Sequence, residues 1–282
     1  MLSLIICSRN ASISKKLNEN IKETILVDYE LIVIDNSTNR LSIFEAYNIG
    51  IDRSKGEFLV FLHDDILFQT VGWGGVVQRI FKNNSDIGLL GVAGSNLKTK
   101  MPSTWVGPGK KYVRIIQHYQ DNRNSKNFKN GFDHKKLVEA ATIDGVLMIM
   151  KRNKEVRFDG NLKGYHNYDV DLSVKHHLIK NKVCITSQIL IEHFSSGTIN
   201  KDWYLSTSRY HKAYHCKLPI IINSEISKRD LLNSEFITGA IFILGLLEYN
   251  LKREALYWWV KLIKMKFYSK FHFKFIIKFL KI

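Results

Sequence analysis

The sequence predicts an α/β fold: a mixed, mostly parallel sheet flanked by helices, with a helical extension at the C-terminus. Three observations carry this. Short apolar runs alternate with amphipathic stretches through the first hundred residues, the rhythm of a parallel sheet covered on both faces. Each of the first three runs ends abruptly in polar residues: Ser8-Arg9, Asp35-Asn36 and His63-Asp64-Asp65. After Pro219 the composition changes to a long apolar stretch and then to lysines and aromatics. Residues 1–220 are therefore expected to form the α/β domain and residues 221–282 a basic amphipathic helical region.

The elements follow in order. Residues 4–7 read as the first strand and 8–10 as a polar loop, with Ser12 and Ser14 as N-cap candidates for a helix over 15–25. A second strand, 31–34, runs into Asp35-Asn36-Ser37. A helix near 42–52 then carries Ile43, Ala46, Tyr47 and Ile51 on one face. The turn Ser54-Lys55-Gly56 leads into 58–62, an apolar run without alternation, as expected of a strand buried on both faces. A helix at 73–82 and a strand at 88–93 follow.

Residues 98–136 are polar and weakly periodic, with a loop at 102–111 and a strand at 112–117. A loop that long inside a domain is functional or disordered. Trp105 within it either shapes an acceptor site or packs. Further on, 146–150 reads as a buried strand, 169–180 as a helix with Val170, Val174, His177 and Leu178 on one side, and 183–185 and 189–191 as strands. The last of these runs into Glu192-His193 and the loop Ser195-Ser196-Gly197. A helix over 225–251 opens the C-terminal region.

In open α/β sheets ligands sit beyond the carboxyl ends of the strands. Asp64 and Asp65 at such an end are either a hard-oxygen site for a divalent cation that holds a diphosphate, or solvated turn residues. Asp35 is suited to accept from a base imide N–H, and Ser8, Arg9 and Asn48 to meet base or phosphate, though each alone also reads as a loop or cap residue. Asp144 is expected at the edge of the cleft. Asp169 and Asp171 lie in a first helical turn, where carboxylates are favourable for dipole reasons alone. His193 is a metal or phosphate ligand, or structural. No G-x-G-x-x-G follows a strand and no G-x-x-x-x-G-K-[ST] occurs, which disfavours a dinucleotide oxidoreductase or a P-loop phosphotransferase.

The chain has 282 residues, 45% of them apolar, and a net charge of +16. Disorder is disfavoured, and a polyanionic partner, nucleic acid or an anionic membrane, is indicated. Cys7, Cys184 and Cys216 are far apart and show no C-x-x-C spacing, which fits a reducing compartment. No signal peptide is expected, and the apolar run 236–247 reads as too short to span a bilayer. A cytoplasmic location follows.

In the tail, Lys266, Lys270, Lys274 and Lys278 recur every four residues. Phe271, Phe275, Phe279 and Ile282 line a neighbouring face, with Trp258 and Trp259 just upstream. Residues 257–282 are thus expected to meet an anionic membrane surface, peripherally and on its inner face; the alternative is a helix packed on the domain with snorkelling lysines. Nucleic acid is the weaker partner, because the lysines concentrate in the tail and no binding motif is present.

Taken together, these stretches resemble the family 2-type glycosyltransferases of GT-A fold, and among them a bacterial "glycosyltransferase-like" branch. The matching segments are 3–10, Ile34-Asp35-Asn36-Ser37, Ala46-Tyr47-Asn48-Ile49-Gly50, 55–65, Ile143-Asp144-Gly145, 165–172, and His193 with Ser195-Ser196-Gly197, in the family's order over roughly residues 1–217. The resemblance implies inverting, metal-dependent transfer of a sugar from a nucleoside-diphosphate donor, usually a UDP-sugar. The acceptor would be a glycan, a lipid-linked or a protein-linked group, in surface polysaccharide or glycoconjugate synthesis. It also implies Asp65 as metal ligand, joined by His193, for Mn²⁺ or Mg²⁺. Donor contacts are implied for Ser8, Arg9, Asn10, Asp35, Asn48, Lys55, His63, Asp64 and Asp144. Asp169 is implied as catalytic base, with Asp171 as the alternative. The family's Asp-x-Asp motif falls on His63-Asp64-Asp65, and Tyr168 stands where a glutamate usually precedes the base. The alternative reading is a basic nucleic-acid- or nucleotide-binding α/β protein without glycosyl transfer.

Overall fold

The computed structural model describes residues 1–119, 124–195, 197–222 and 226–281. The N-terminal part runs β1 (Leu2–Ser8), α1 (Lys15–Ile25), β2 (Tyr29–Asp35), α2 (Ile43–Arg53), β3 (Phe58–Leu62), β4 (Ile66–Phe68), α3 (Trp73–Asn83) and β5 (Ile87–Gly91). The middle is strand-rich: β6 (Ala93–Ser95), β7 (Leu97–Lys98), β8 (Lys111–His118), β9 (Ser125–Asn130), β10 (Leu137–Glu139), β11 (Thr142–Ile143) and β12 (Leu147–Lys151). Then come α4 (Tyr168–Leu178), β13 (Lys182–Thr186), β14 (Ile191–His193), α5 (Lys201–Ala213), a short turn of helix at His215–Lys217 and β15 (Ile220–Ile221). The helices α6 (Lys228–Glu248), α7 (Lys252–Met265) and α8 (Lys270–Lys281) close the chain.

Among the described residues the main sheet has seven strands in the order β10-β13-β5-β12-β3-β1-β2. β1 pairs in parallel with β2 and β3, and β13 with β5, while β12 runs antiparallel between β3 and β5. The side-chain alternation of a strand divides the core into two layers. Leu4, Ile6, Val60 and Leu62 face α1 and α3, packing with Leu17, Ile21, Trp73 and Val77. Ile5, Leu59 and Phe61 face α2 and α4, packing with Phe44, Tyr47, Val170 and Val174. Both N-terminal caps are side-chain caps: Ser14 accepts from Leu17 N, and Ser42 forms a capping box with Glu45. Ser14, and not Ser12, caps α1.

A second sheet, β11-β6-β8-β14-β4 with β9 beside β8, departs from the sequence expectation. The apolar run expected as one strand over 88–93 is divided: β5 ends at Gly91, and β6 turns into the second sheet, where it pairs with β8 and β11. Helix α4 begins at Tyr168 and ends at Leu178, which is exposed and does not share the buried side of Val170 and Val174. Ser196, Glu225 and Ile282, each part of an expectation above, lie outside the described residues, as do residues 120–123.

The C-terminal helices build a third core. Phe242, Ile243, Leu246, Trp258, Leu262 and Phe275 pack together with Met101, and Trp203 and Tyr204 of α5 lie against them. At 21 residues, with an 18-residue stretch of mean hydropathy 1.5, α6 is long and apolar enough to cross a bilayer, which corrects the length read from the 236–247 run; 44% of that stretch is buried inside the molecule. The tail is two helices, not one. The break at 266–269 removes Lys266 from the helix that carries Lys270, Lys274 and Lys278.

Candidate active site

Three strand ends and one strand exchange assemble the site. The parallel register places Ser8 opposite Asp35, so the ends of β1 and β2 open on the same edge. β3 ends at Leu62 and hands the chain to His63, whose N–H donates to the carbonyl of Val146 at 3.2 Å. Residues 63–65 then cross to the second sheet, where β4 pairs with β14 and sets His193 opposite Ile66. That pairing brings residue 193 beside residue 65.

The result is a cluster of His63, Asp65 and His193 whose ligating atoms lie within 4.8 Å of one another. Asp65 Oδ1 stands 3.8 Å from His63 Nδ1 and 3.6 Å from His193 Nε2. It is buried and has no hydrogen-bond partner. Gln117, opposite His193 on β8, fixes the tautomer. Its Nε2 donates to the carbonyl of Ser195 at 2.8 Å, so its Oε1 accepts from His193 Nδ1 at 3.1 Å. His193 Nε2 is then an acceptor, with the Ser195 hydroxyl at 3.4 Å and Asp65 Oδ1 at 3.6 Å. Burial, and next the His63 charge, hold the His193 imidazole below its usual pKa, which keeps it neutral. An acceptor nitrogen facing an unpartnered, buried carboxylate oxygen suits a cation between them. Asp65 is ready for one: burial pushes its pKa up, but the Ser195 hydroxyl, the neighbouring imidazoles of His63 and His193 and the Arg9 guanidinium outweigh that and hold it below the usual value. His63 Nε2 meets the Tyr168 hydroxyl at 2.7 Å, which leaves Nδ1 turned to Asp65.

Two cavities meet at this cluster. The first, about 490 Å³, lies over the ends of β1 and β2 and is lined by Ser8, Arg9, Asn36, Ser37, Asp64 and Asp65 among others. Arg9 Nη2 pairs with Asp64 Oδ1 at 2.8 Å and reaches Asp65 Oδ2 at 3.4 Å. Asp64 Oδ2 accepts from the Arg9 backbone N–H at 3.1 Å, so Asp64 shapes the loop after β1. The second cavity, about 440 Å³, is lined by Trp105, Asp144, Asp169, His193 and Trp203 among others. His63, Tyr165, Tyr168 and Ser195 line both.

Asp169 lies in the first turn of α4 and is almost wholly buried. Its Oδ1 accepts from the Val170 N–H at 2.8 Å. Burial first, and then the Asp144 charge, push its carboxyl up to about 7, against a smaller pull from Lys98. A carboxylate titrating near neutrality at a cavity wall is matched to taking a proton from a hydroxyl. Gly145 permits this wall to close: a Cβ there would stand 2.2 Å from the Tyr168 hydroxyl.

Several expected residues lie elsewhere. Asp171 is two positions from Asp169 and so projects from the other side of the helix. Its Oδ2 accepts from the Asp159 N–H at 3.0 Å and pairs with Lys175 at 3.0 Å, away from both cavities. Lys55 precedes β3 and sits at the opposite edge of the sheet, its N–H on Glu30. Asn48 is consumed in a reciprocal pair with the backbone of Phe158, at 3.0 and 3.1 Å. Asp35 is exposed and accepts from Ser37 N at 2.9 Å; Asn36 and Ser37 line the first cavity in its place. Asn10 is exposed, with its N–H on Ser8 Oγ at 3.2 Å. Asp144 faces the second cavity and not the first, with its Oδ1 on Val146 N at 2.8 Å.

The sequence reading had no signal for Gln117 or for Lys98. Lys98 is fully buried, and its Nζ donates to the carbonyls of Ser103 and Thr104 at 2.6 and 3.1 Å beneath the loop that carries Trp105. Burial lowers its pKa to about 7.

Residues 3–216 match a family described as a glycosyltransferase-like family. Among solved structures, S. aureus TarS 1-349 is similar with a TM-score of 0.50 and 12% identity, over 94% of this chain and 88% of that one. GalNAc-T7, crystallised with UDP, GalNAc and Mn²⁺, is similar with a TM-score of 0.47 and 12% identity, over 84% of this chain and 48% of that one, so this chain spans about half its length. At such identity the likeness to TarS is one of fold. No curated protein matches the sequence significantly.

Proposed function

Because the chain belongs to the glycosyltransferase-like family and has the GT-A fold, we propose that it transfers a sugar from a UDP-sugar, with inversion, to a glycan, lipid-linked or protein-linked acceptor. The observation that carries this reading is the buried, unpartnered Oδ1 of Asp65, facing His193 and His63 where the two cavities join. Asp65, His63 and His193 are the ligands we assign to a divalent ion. Mn²⁺ takes such a mixed nitrogen and oxygen set, with Mg²⁺ as the alternative. When bound, that ion supplies charge to offset the departing diphosphate.

The remaining roles belong to the chain's own residues. The first cavity holds the nucleotide: Ser8, Asn36 and Ser37 offer polar groups to it, and Arg9 offers a cation at the mouth near Asp64 and Asp65. The second cavity holds the acceptor, with Trp105 and Trp203 as apolar walls for a sugar face. Asp169 takes the acceptor hydroxyl proton as the new bond forms, because an alcohol is a poor nucleophile without a positioned base. Tyr168 orients His63, and burial raises its phenol pKa well above the usual range, so it stays a neutral hydrogen-bonding group. A base on one side of the junction and the diphosphate on the other suit an in-line displacement, hence inversion.

The test is a panel of UDP-, GDP- and dTDP-sugars incubated with the protein and Mn²⁺, read by nucleotide release and by NMR of the released sugar's anomeric centre. Release from a UDP-sugar with inverted configuration is expected. Release from none of the donors, or retained configuration, contradicts the reading.

A further inference from the structure

The C-terminal face exposed to solvent is not the one the sequence pattern selects. Phe271, Phe275 and Phe279 turn inward onto the third core, with Phe275 stacked on Trp259. The outward residues are Tyr268 (90% exposed), Leu280 (78%), Phe273 (74%) and Phe267 (69%), with Ile276 and Ile277 between them. Large apolar side chains gathered on one surface signal an interaction site. Beside them the end of α7 and the start of α8 enclose a groove of about 580 Å³, lined by Trp259, Ile263, Phe267, Tyr268, His272 and Phe273 among others. From residue 255 to 281 there are seven lysines and no acidic residue. Lys278 is drawn off to Glu248, and Lys266 and Lys261 lie over Phe236 and Tyr257. Lys270 and Lys274 flank the exposed aromatics in sequence.

We propose that this surface docks on an anionic phospholipid leaflet, with the turn at 266–273 entering the headgroup layer and the groove receiving acyl-chain segments. Bulky aromatics at the tip suit the interface between headgroups and hydrocarbon. Each lysine near an anionic surface adds roughly 1 kcal/mol of attraction. A second copy of this chain is a poorer occupant, because the surface is basic throughout and would repel itself. Helix α6, on which α7 and α8 pack, extends from this region toward the active site. Glu235 of α6 accepts from the N–H groups of Lys100 and Met101 at 2.6 and 2.7 Å, at the root of the loop that carries Trp105. The acceptor wall is therefore tied, through α6, to the helices that meet the lipid.

The test needs no nucleotide and no turnover, so its failure is separate from failure of the sugar-transfer reading. The full-length chain is sedimented with vesicles of phosphatidylcholine alone or mixed with phosphatidylglycerol. Binding is expected to the mixed vesicles and to weaken with salt. The variant Phe267→Ser, Tyr268→Ser, Phe273→Ser should lose roughly tenfold or more of that binding with an unchanged melting temperature, since its three sites are exposed. Acyl chains brominated near the headgroup should quench tryptophan emission in the parent and much less in Trp259→Phe. Undiminished binding of the triple variant, absence of bromine quenching, or a surface that prefers duplex DNA over the mixed vesicles would overturn the proposal.

Discussion

The two cavities that meet at His63 are assembled by different means. The first lies over β1, β2 and β3, whose carboxyl ends are brought together by parallel pairing and by short connections. The second is walled by a loop from 104–106, a turn at 144–145, the first turn of α4 and the loop after β14. Those four pieces are joined only through the second sheet and the cores beneath it. Their chemistry differs in the same way. The first cavity is charged and open, with an exposed arginine at its mouth. The second holds a carboxylate nearly shut off from water and raised to about 7. A donor diphosphate needs charge and access, whereas a base for a sugar hydroxyl needs burial.

Loss of the buried carboxylate is expected to have the largest effect. Asp169→Asn should lower transfer by roughly 10²–10⁴ while leaving nucleotide affinity within a few-fold, measured by turnover and by calorimetry. Equal losses in both would merge the two cavities into one function.

The pH profile comes next. Asp169 acts as a base only when ionised, so transfer should rise with pH through about 7 and fall below it; the Asn variant should lose that limb. A parent profile flat from pH 6 to 8 would take Asp169 out of the proton transfer.

Smaller is the effect of the residue behind His193. Gln117→Leu frees the imidazole to take the wrong tautomer and should weaken Mn²⁺ binding by about 10–100-fold, read by metal-dependent thermal shift. Smallest is Gly145→Ala. Its methyl would stand 2.2 Å from the Tyr168 hydroxyl and must displace it, costing about 1–3 kcal/mol of stability, read by denaturant melting.

The same contrast explains what the sequence made legible. Strand ends follow from short apolar runs and the polar residues that stop them, so Ser8, Asp64 and Asp65 could be read as one edge from local pattern. Lys55 was misread because a residue just before a strand lies at its amino end, across the sheet from the ligands. Asn48 faced the right strand but spends its amide on Phe158. Asp171 failed on helical phase, since two residues along a helix is more than half a turn away. The second sheet was missed because β4, β6, β11 and β14 are two or three residues long, too short to show a period. Gln117 depends on that sheet, and its role could not be read without the β8–β14 pairing. In the tail the lysine spacing was correct within α8, but which face turned inward was decided by Trp259 and Met101, far from the repeat itself.

The most direct test of this division is a calorimetric titration of UDP into the parent, Asp65→Ala and Asp169→Asn, each with and without Mn²⁺. The expected result is tighter UDP binding with Mn²⁺ in the parent and in Asp169→Asn, and no metal effect in Asp65→Ala. Equal UDP affinity with and without Mn²⁺ in the parent, or a metal effect that survives in Asp65→Ala, would contradict it.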